Sequence, residues 1–232
     1  MVNAGLKTVG TRGVTGLVED PERDLVVTYA RTDRRPGLVA LLALDDVLAR
    51  LLRTTREPAL GQMRLAWWRE ALEKLDHAPA PAEPVLKALE AEVLRHGITG
   101  AALVPIVHGW EVLIEEERLD ADAMRRFGEG RGQLFVVAGA LLGSKGDPVA
   151  IAGQGWALAD LAGNLEAEEE RVIARDLAFP LLDGAAAMRW SRPARALGAL
   201  AHRARLDLAE TPKGAGAPSR VGRLLWHRLT GR

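Results

Sequence analysis

The feature that most constrains this chain is the period of its apolar residues. They recur at three- and four-residue steps along nearly the whole length, while two-residue alternation is almost absent. One Tyr and three Phe leave little aromatic strand-forming material. Prolines punctuate the pattern. Asp20 or Pro21 opens a helix to about Arg31, Pro36 sits in the first turn of one to about Thr55, and Pro58 begins a third that ends near Asp76. HAPAPAEP (77–84) is a stiff linker. Further helices are expected at 84–96, 99–118, 120–142, 148–171, 174–188 and 193–210. TPKGAGAPS (211–219) then breaks the chain before a short basic helix from Arg220 to Leu229. The expectation is an all-α, single-domain bundle over 19–210, with a flexible N-terminus over 1–18 and a Gly/Pro linker plus basic amphipathic helix over 211–232.

Composition narrows the function. Apolar residues are 48% and charged residues 27%, a globular balance. Thirty-one basic residues cancel 31 acidic ones, so no general electrostatic pull toward nucleic acid is expected. With no cysteine there is no disulfide, thiol or Cys-zinc chemistry, which fits a reducing, cytoplasmic location. Residues 1–18 carry no apolar run of secretory type. The longest uncharged window with large apolar residues, 13 residues between Arg131 and Lys145, falls short of the roughly 20 that span a bilayer. Membrane association, if any, is expected to be peripheral, at the inner membrane surface.

LGQMRLAWWREALEKL (60–75) is the most distinctive stretch. Leu60, Met63, Trp67, Ala71 and Leu75 form a stripe expected to face other helices, with Arg64 and Trp68 flanking it at a four-residue step. Arg64 and Trp68 are placed to form a cation–π pair. Two readings stand: Trp67 and Trp68 fill core volume with Arg64 lying along them, or the three line a cavity where Arg64 meets a diphosphate through its planar fork of donors.

RPGLVALLAL (35–44), REPALGQMRLAWWREAL (56–72), GWEVL (109–113), MRRFGEGRGQLFVVAGALLG (124–143), GWALADLAGNLEAEEER (155–171) and RPARALGAL (192–200) follow one another in an order and spacing that resembles the squalene/phytoene synthase family. The resemblance implies the isoprenoid-synthase fold, helices around a central cavity. Enzymes of that family join two prenyl diphosphates head to head through two DxxxD motifs. Carboxylates at i and i+4 share a helix face, and hard oxygen ligands hold Mg²⁺ against the diphosphates while the leaving group departs.

Those motifs are eroded here. By the resemblance the first falls at Ala49 to Arg53, which is Ala-Arg-Leu-Leu-Arg. Asp45 and Asp46 lie one turn earlier, where Asp46 reads as an ion pair with Arg50 or as a shifted single-acid site. The second motif falls at 166–170, where Glu166 and Glu170 keep the spacing and are the candidate Mg²⁺ ligands; a solvated charged face is the other reading. Asp160, Asn164 and Glu168 form an overlapping i, i+4, i+8 pattern. Positions 164 and 166 point about 200° apart on a helix, so the two sets cannot serve one cavity.

Other chemistry has less support. His77, His96, His108, His202 and His227 show no paired-ligand spacing, and Gly128, Gly130 and Gly132 follow no strand, so they read as places of close helix approach rather than a phosphate loop. Ser144, Ser191 and Ser219 sit in turn-like settings without triad partners. The C-terminal helix puts Val221, Leu224, Leu225 and Leu229 on one side and Arg220, Arg223 and His227 toward the other. It either packs its leucines on the bundle or lies on an anionic membrane. The functional expectation is a non-catalytic family member that binds a prenyl or lipid-like ligand or a protein partner; the resemblance supplies a precedent in the branch that assembles respiratory complex I. The alternatives are a Mg²⁺-dependent prenyltransferase acting on prenyl diphosphates through Glu166, Glu170 and Arg64, and a ligand-free helical interaction module.

Overall fold

The structure, a computed structural model, describes residues 20–55, 57–209 and 214–232. The N-terminal segment 1–18 and residues 211–213 of the expected linker lie outside the described residues.

Among the described residues the chain forms ten α-helices and no strand: α1 (Pro21–Val27), α2 (Arg35–Thr54), α3 (Pro58–Lys74), α4 (Pro84–Glu92), α5 (Val104–Glu115), α6 (Ala121–Leu142), α7 (Val149–Asn164), α8 (Glu168–Ala187), α9 (Arg195–Asp207) and α10 (Pro218–Thr230). Short 3₁₀ turns at Leu94–His96 and Ala101–Leu103 join α4 to α5. Proline at the first turn starts α1, α2, α3, α4, α5 and α10, where its missing N–H is harmless. Asp20 caps α1 through the Arg23 amide at 3.0 Å, and Asp120 caps α6 through Ala123 at 2.8 Å. No single helix among them is long and apolar enough to cross a membrane.

α6 is the axis of the bundle, packed between α5 and α7, with α8 and α9 continuing the wall from α7. Glycines make that axis possible. A Cβ on Gly130 would lie 2.6 Å from the Gly109 backbone of α5, and one on Gly153 of α7 would lie 2.4 Å from the Gly132 carbonyl oxygen. The glycine run 128–132 therefore serves close helix approach, as the missing strand implied.

Three expectations are corrected. The helix expected over 148–171 breaks at Leu165–Ala167, because α7 ends at Asn164 and α8 begins at Glu168. On α3 the inward stripe is Gly61, Leu65, Trp68 and Leu72 with Ala71 and Leu75, while Leu60, Met63 and Trp67 are exposed. Two apolar stripes share this helix, and the one carrying glycine approaches α5, where Gly61 meets Ile114. α10 is rotated too: Arg220, Leu224 and His227 point inward and Leu225 and Leu229 outward. Its rotation is fixed by the buried Arg220, which donates from Nε to Glu22 Oε1 at 2.9 Å and from Nη2 to Oε2 at 2.8 Å, and which pairs with Asp207 at 2.7 Å. Those hydrogen bonds raise the Arg220 pKa against burial and lower that of Glu22.

Candidate functional site

The centre of the bundle is built on Arg131. Gly130 and Gly132 flank it on α6 and let α5 and α7 approach closely. Each of those helices carries a Trp next to a glycine, Trp110 after Gly109 and Trp156 after Gly155. The Arg131 guanidinium carbon lies 4.5 Å from the Trp110 ring centre and 4.4 Å from that of Trp156. Its edges are occupied by carboxylates. Nε and Nη2 donate to Asp45 of α2 at 2.8 and 2.7 Å, and Nη1 donates to Asp160 of α7 at 2.6 Å. Trp110 Nε1 donates to the same Asp45 at 3.2 Å. Burial opposes the charge of Arg131, but the two carboxylates outweigh it and hold its pKa above the ordinary arginine value.

On one side of this layer a cavity of about 170 Å³ opens between α1, α2, α7 and α9. Five carboxylates line it, and each has an arginine. Asp45 and Asp160 take Arg131; Asp46 takes both ends of Arg23 at 2.7 and 2.8 Å; Asp20 takes Arg203 at 2.6 Å; Asp207 takes Arg220. Asp46 thus pairs across helices with Arg23, not along α2 with Arg50. On the other side of Arg131 only about 20 Å³ remains, where Ala49 and Arg53 stand at the two acid positions that the resemblance implies for the first motif.

The residue set does not fit Mg²⁺. A hard cation needs several free carboxylate oxygens directed at one point, and every acid around the cavity already accepts from a guanidinium. No group of three or more His, Asp or Glu among the described residues converges as a metal site. Glu166 is exposed in the α7–α8 turn, and Glu170 is in the first turn of α8 with Oε1 accepting from the Leu119 amide at 3.3 Å. The helix break removes the shared face that their spacing implied. Asn164 donates to the Asp160 carbonyl oxygen at 2.7 Å, and Glu168 pairs with Arg171, so the overlapping pattern does not converge either.

Arg64, Trp67 and Trp68 come together at the rim. With Val47, Arg50, Leu51 and Thr54 they line a cleft of about 420 Å³ between α2 and α3. Trp68 is buried, Trp67 meets it edge-on at 5.3 Å, and Arg64 donates to Thr55 Oγ1 at 3.1 Å instead of stacking on Trp68. Trp110, Arg131 and Trp156 are the central residues that pattern reasoning did not single out, and Asp45 was noted only as a neighbour of the expected first motif. Their signal was present as two Gly-Trp pairs and an arginine between glycines.

An all-α bundle around a central cavity, with its polar centre supplied by α2, α5, α6 and α7, is the isoprenoid-synthase architecture. Residues 19–133, about half of the chain, match the squalene/phytoene synthase family, and the chain belongs to it. No curated protein and no solved structure matches the chain.

Proposed function

We propose that this family member does not perform head-to-head condensation and instead binds a prenyl- or lipid-like amphiphile in the α2–α3 cleft. The observation that carries the reading is Arg131, which takes both Asp45 and Asp160 at the centre of the bundle. Departure of diphosphate needs a cation that neutralises the leaving group, and a metal entering here has to displace a buried guanidinium held by two carboxylates and two indole faces. The central cavity of about 170 Å³ is also below the roughly 300–1,000 Å³ of ordinary small-molecule sites, whereas the rim cleft of about 420 Å³ lies within that range. Arg50 and Arg64 supply donors for an anionic head, and Val47, Leu51, Trp67 and Trp68 supply an apolar wall.

The test is incubation with farnesyl and geranylgeranyl diphosphate, with Mg²⁺ or with EDTA. The expected outcome is no condensed product and a thermal stabilisation that is the same in both buffers. At a hundredfold excess over Kd that stabilisation is about 2.7 kcal/mol, or several degrees in Tm. Condensed product that vanishes in Glu166→Gln/Glu170→Gln overturns the reading in favour of a Mg²⁺-dependent prenyltransferase. No stabilisation, with a protein retained through purification, replaces it with an assembly-factor-like role.

A further inference from the structure

The chain is neutral as a whole but not in space. From Gly184 to Leu206 and from Gly214 to Arg232 there is no Asp or Glu, yet there are nine arginines. The fold brings these two segments together. Trp190 donates its amide to the Gly231 carbonyl oxygen at 2.7 Å, Arg189 Nε to that of Thr230 at 3.2 Å, and Arg195 to that of Arg228. The loop between α8 and α9 thus runs beside the last turn of α10. Arg203, Arg205 and Arg220 have carboxylate partners. Among the described residues no Asp or Glu lies within ion-pair distance of Arg189, Arg192, Arg195, Arg223, Arg228 or Arg232. Burial, with the neighbouring charges of Arg192 and Arg189 adding to it, pushes the Arg195 pKa down, as in a cluster of cations without a counter-anion.

The same pole exposes large apolar side chains. With Arg220, Leu224 and His227 turned inward, the opposite face of α10 carries Leu225, Trp226 (57% exposed) and Leu229 (75% exposed). Met188, exposed as well, sits on the adjoining loop. At 100° per residue Arg228 falls on one flank of the apolar face and Arg223 on the other, with Arg232 just past the helix end at Gly231. Leucine and tryptophan on one face, arginines on both flanks and no acid is the composition of a helix that lies in a lipid headgroup layer. A second copy of this chain fits poorly, since a two-fold contact would set arginines against arginines.

We propose that this pole docks on an anionic membrane surface, with Leu225, Trp226 and Leu229 at the acyl boundary and the arginines that lack a carboxylate partner against lipid phosphates. The docking is independent of the α2–α3 cleft. The experiment uses the full chain with phosphatidylcholine vesicles, with and without phosphatidylglycerol, followed by sedimentation and tryptophan emission. Partition into the anionic vesicles is expected to exceed that into the neutral ones by about tenfold or more, and to weaken at high salt. Trp226→Ser/Leu229→Ser is expected to lower it by at least about tenfold and to abolish the blue shift. Both side chains are exposed, so the thermal melt is expected to be unchanged and to certify folding. Arg192→Glu/Arg232→Glu tests the charge separately and is expected to act in the same direction. Equal partition into both vesicle types, partition into neither, or variants that bind like the parent would overturn the proposal. So would a dimer that Trp226→Ser/Leu229→Ser dissolves, because a second copy would then cover this face.

Discussion

Two clusters in this molecule use the same parts, one arginine and two tryptophans, in opposite ways. At the centre Arg131 is buried, held by two carboxylates and stacked between Trp110 and Trp156. At the rim Arg64 is exposed, bonded only to a threonine hydroxyl, beside one buried and one half-exposed indole over an open cleft. The difference lies in desolvation and counter-charge. A buried guanidinium must find its anions within the protein, and once found they fill its donors. An exposed one keeps donors for something that arrives from solution. The central cluster therefore reads as a closed structural unit and the rim cluster as the open one, although the resemblance pointed first to acids near the centre.

The largest test of this contrast is removal of each arginine. Arg131→Met leaves Asp45 buried without its cation and is expected to cost about 3–5 kcal/mol in urea unfolding. Arg64→Met is expected to stay within about 0.5 kcal/mol of the parent. The double variant Asp45→Leu/Arg131→Met should recover most of the loss, because apolar groups of similar size replace buried ion pairs at little net cost. If Arg131→Met unfolds no more easily than Arg64→Met, the centre is not a closed unit and the comparison fails.

Much of the architecture was legible because helical period and proline position are local properties. Proline placed the starts of α2, α3 and α4 within two residues, whereas α10 begins at Pro218, inside the stretch expected to be linker. Rotation was less legible. On α3 two apolar stripes compete, and the choice between them lies in Ile114, a partner far along the chain. On α10 the choice lies in Glu22, 198 residues away from Arg220. The central site failed for a related reason. Searching for i, i+4 acids assumes that ligands come in local pairs, whereas Asp45 and Asp160 are brought together from separate helices by one arginine. That 49–53 carries no acid is plain from the sequence, but that an acidic motif would fall there is implied only by the family resemblance.

A third way of burying polar groups sharpens the contrast. His202 and His227 lie between α9 and α10, ring centres 4.6 Å apart, and are kept neutral by burial, which pushes their pKa values down to about 3 and about 4; nearby Arg223 adds to both. The unfolded chain takes up protons near pH 6.5, but the folded one does not until well below that. Their contribution is therefore complete above about pH 6.5 and is lost as pH falls from there through about 4. At pH 5 the loss is on the order of 4 kcal/mol for the pair, measurable as a drop in urea midpoint between pH 7 and pH 5. Glu22, whose pKa is lowered by its hydrogen bonds from Arg220, gives way only at more acid pH. A flat profile from pH 7 to pH 5 would mean that α10 does not bury these rings.

Glycines test the same boundary between a rigid centre and a yielding rim. Gly130→Ala forces a methyl to within 2.6 Å of the Gly109 backbone, which has no side chain to rotate away. It should cost about 1–3 kcal/mol, even after the better helix propensity of alanine is included. Gly61→Ala meets the end of Ile114 at 2.8 Å, and Ile114 can turn. Its propensity gain of up to about 1 kcal/mol should nearly offset the shift, so its Tm is expected to lie close to the parent value.

The smallest effect on stability belongs to the cleft itself, and there the expected pattern is crossed. Arg64→Glu and Trp67→Ala should change the unliganded Tm little, since one side chain is exposed and the other half-exposed. Both should remove the stabilisation that farnesyl diphosphate confers. Arg131→Met should do the reverse, lowering the unliganded Tm while the ligand-induced increment persists. An increment lost in Arg131→Met but kept in Arg64→Glu would relocate binding to the centre. It would mean that the guanidinium between Trp110 and Trp156 exchanges its carboxylates for the ligand, and the open and closed clusters would have to trade places.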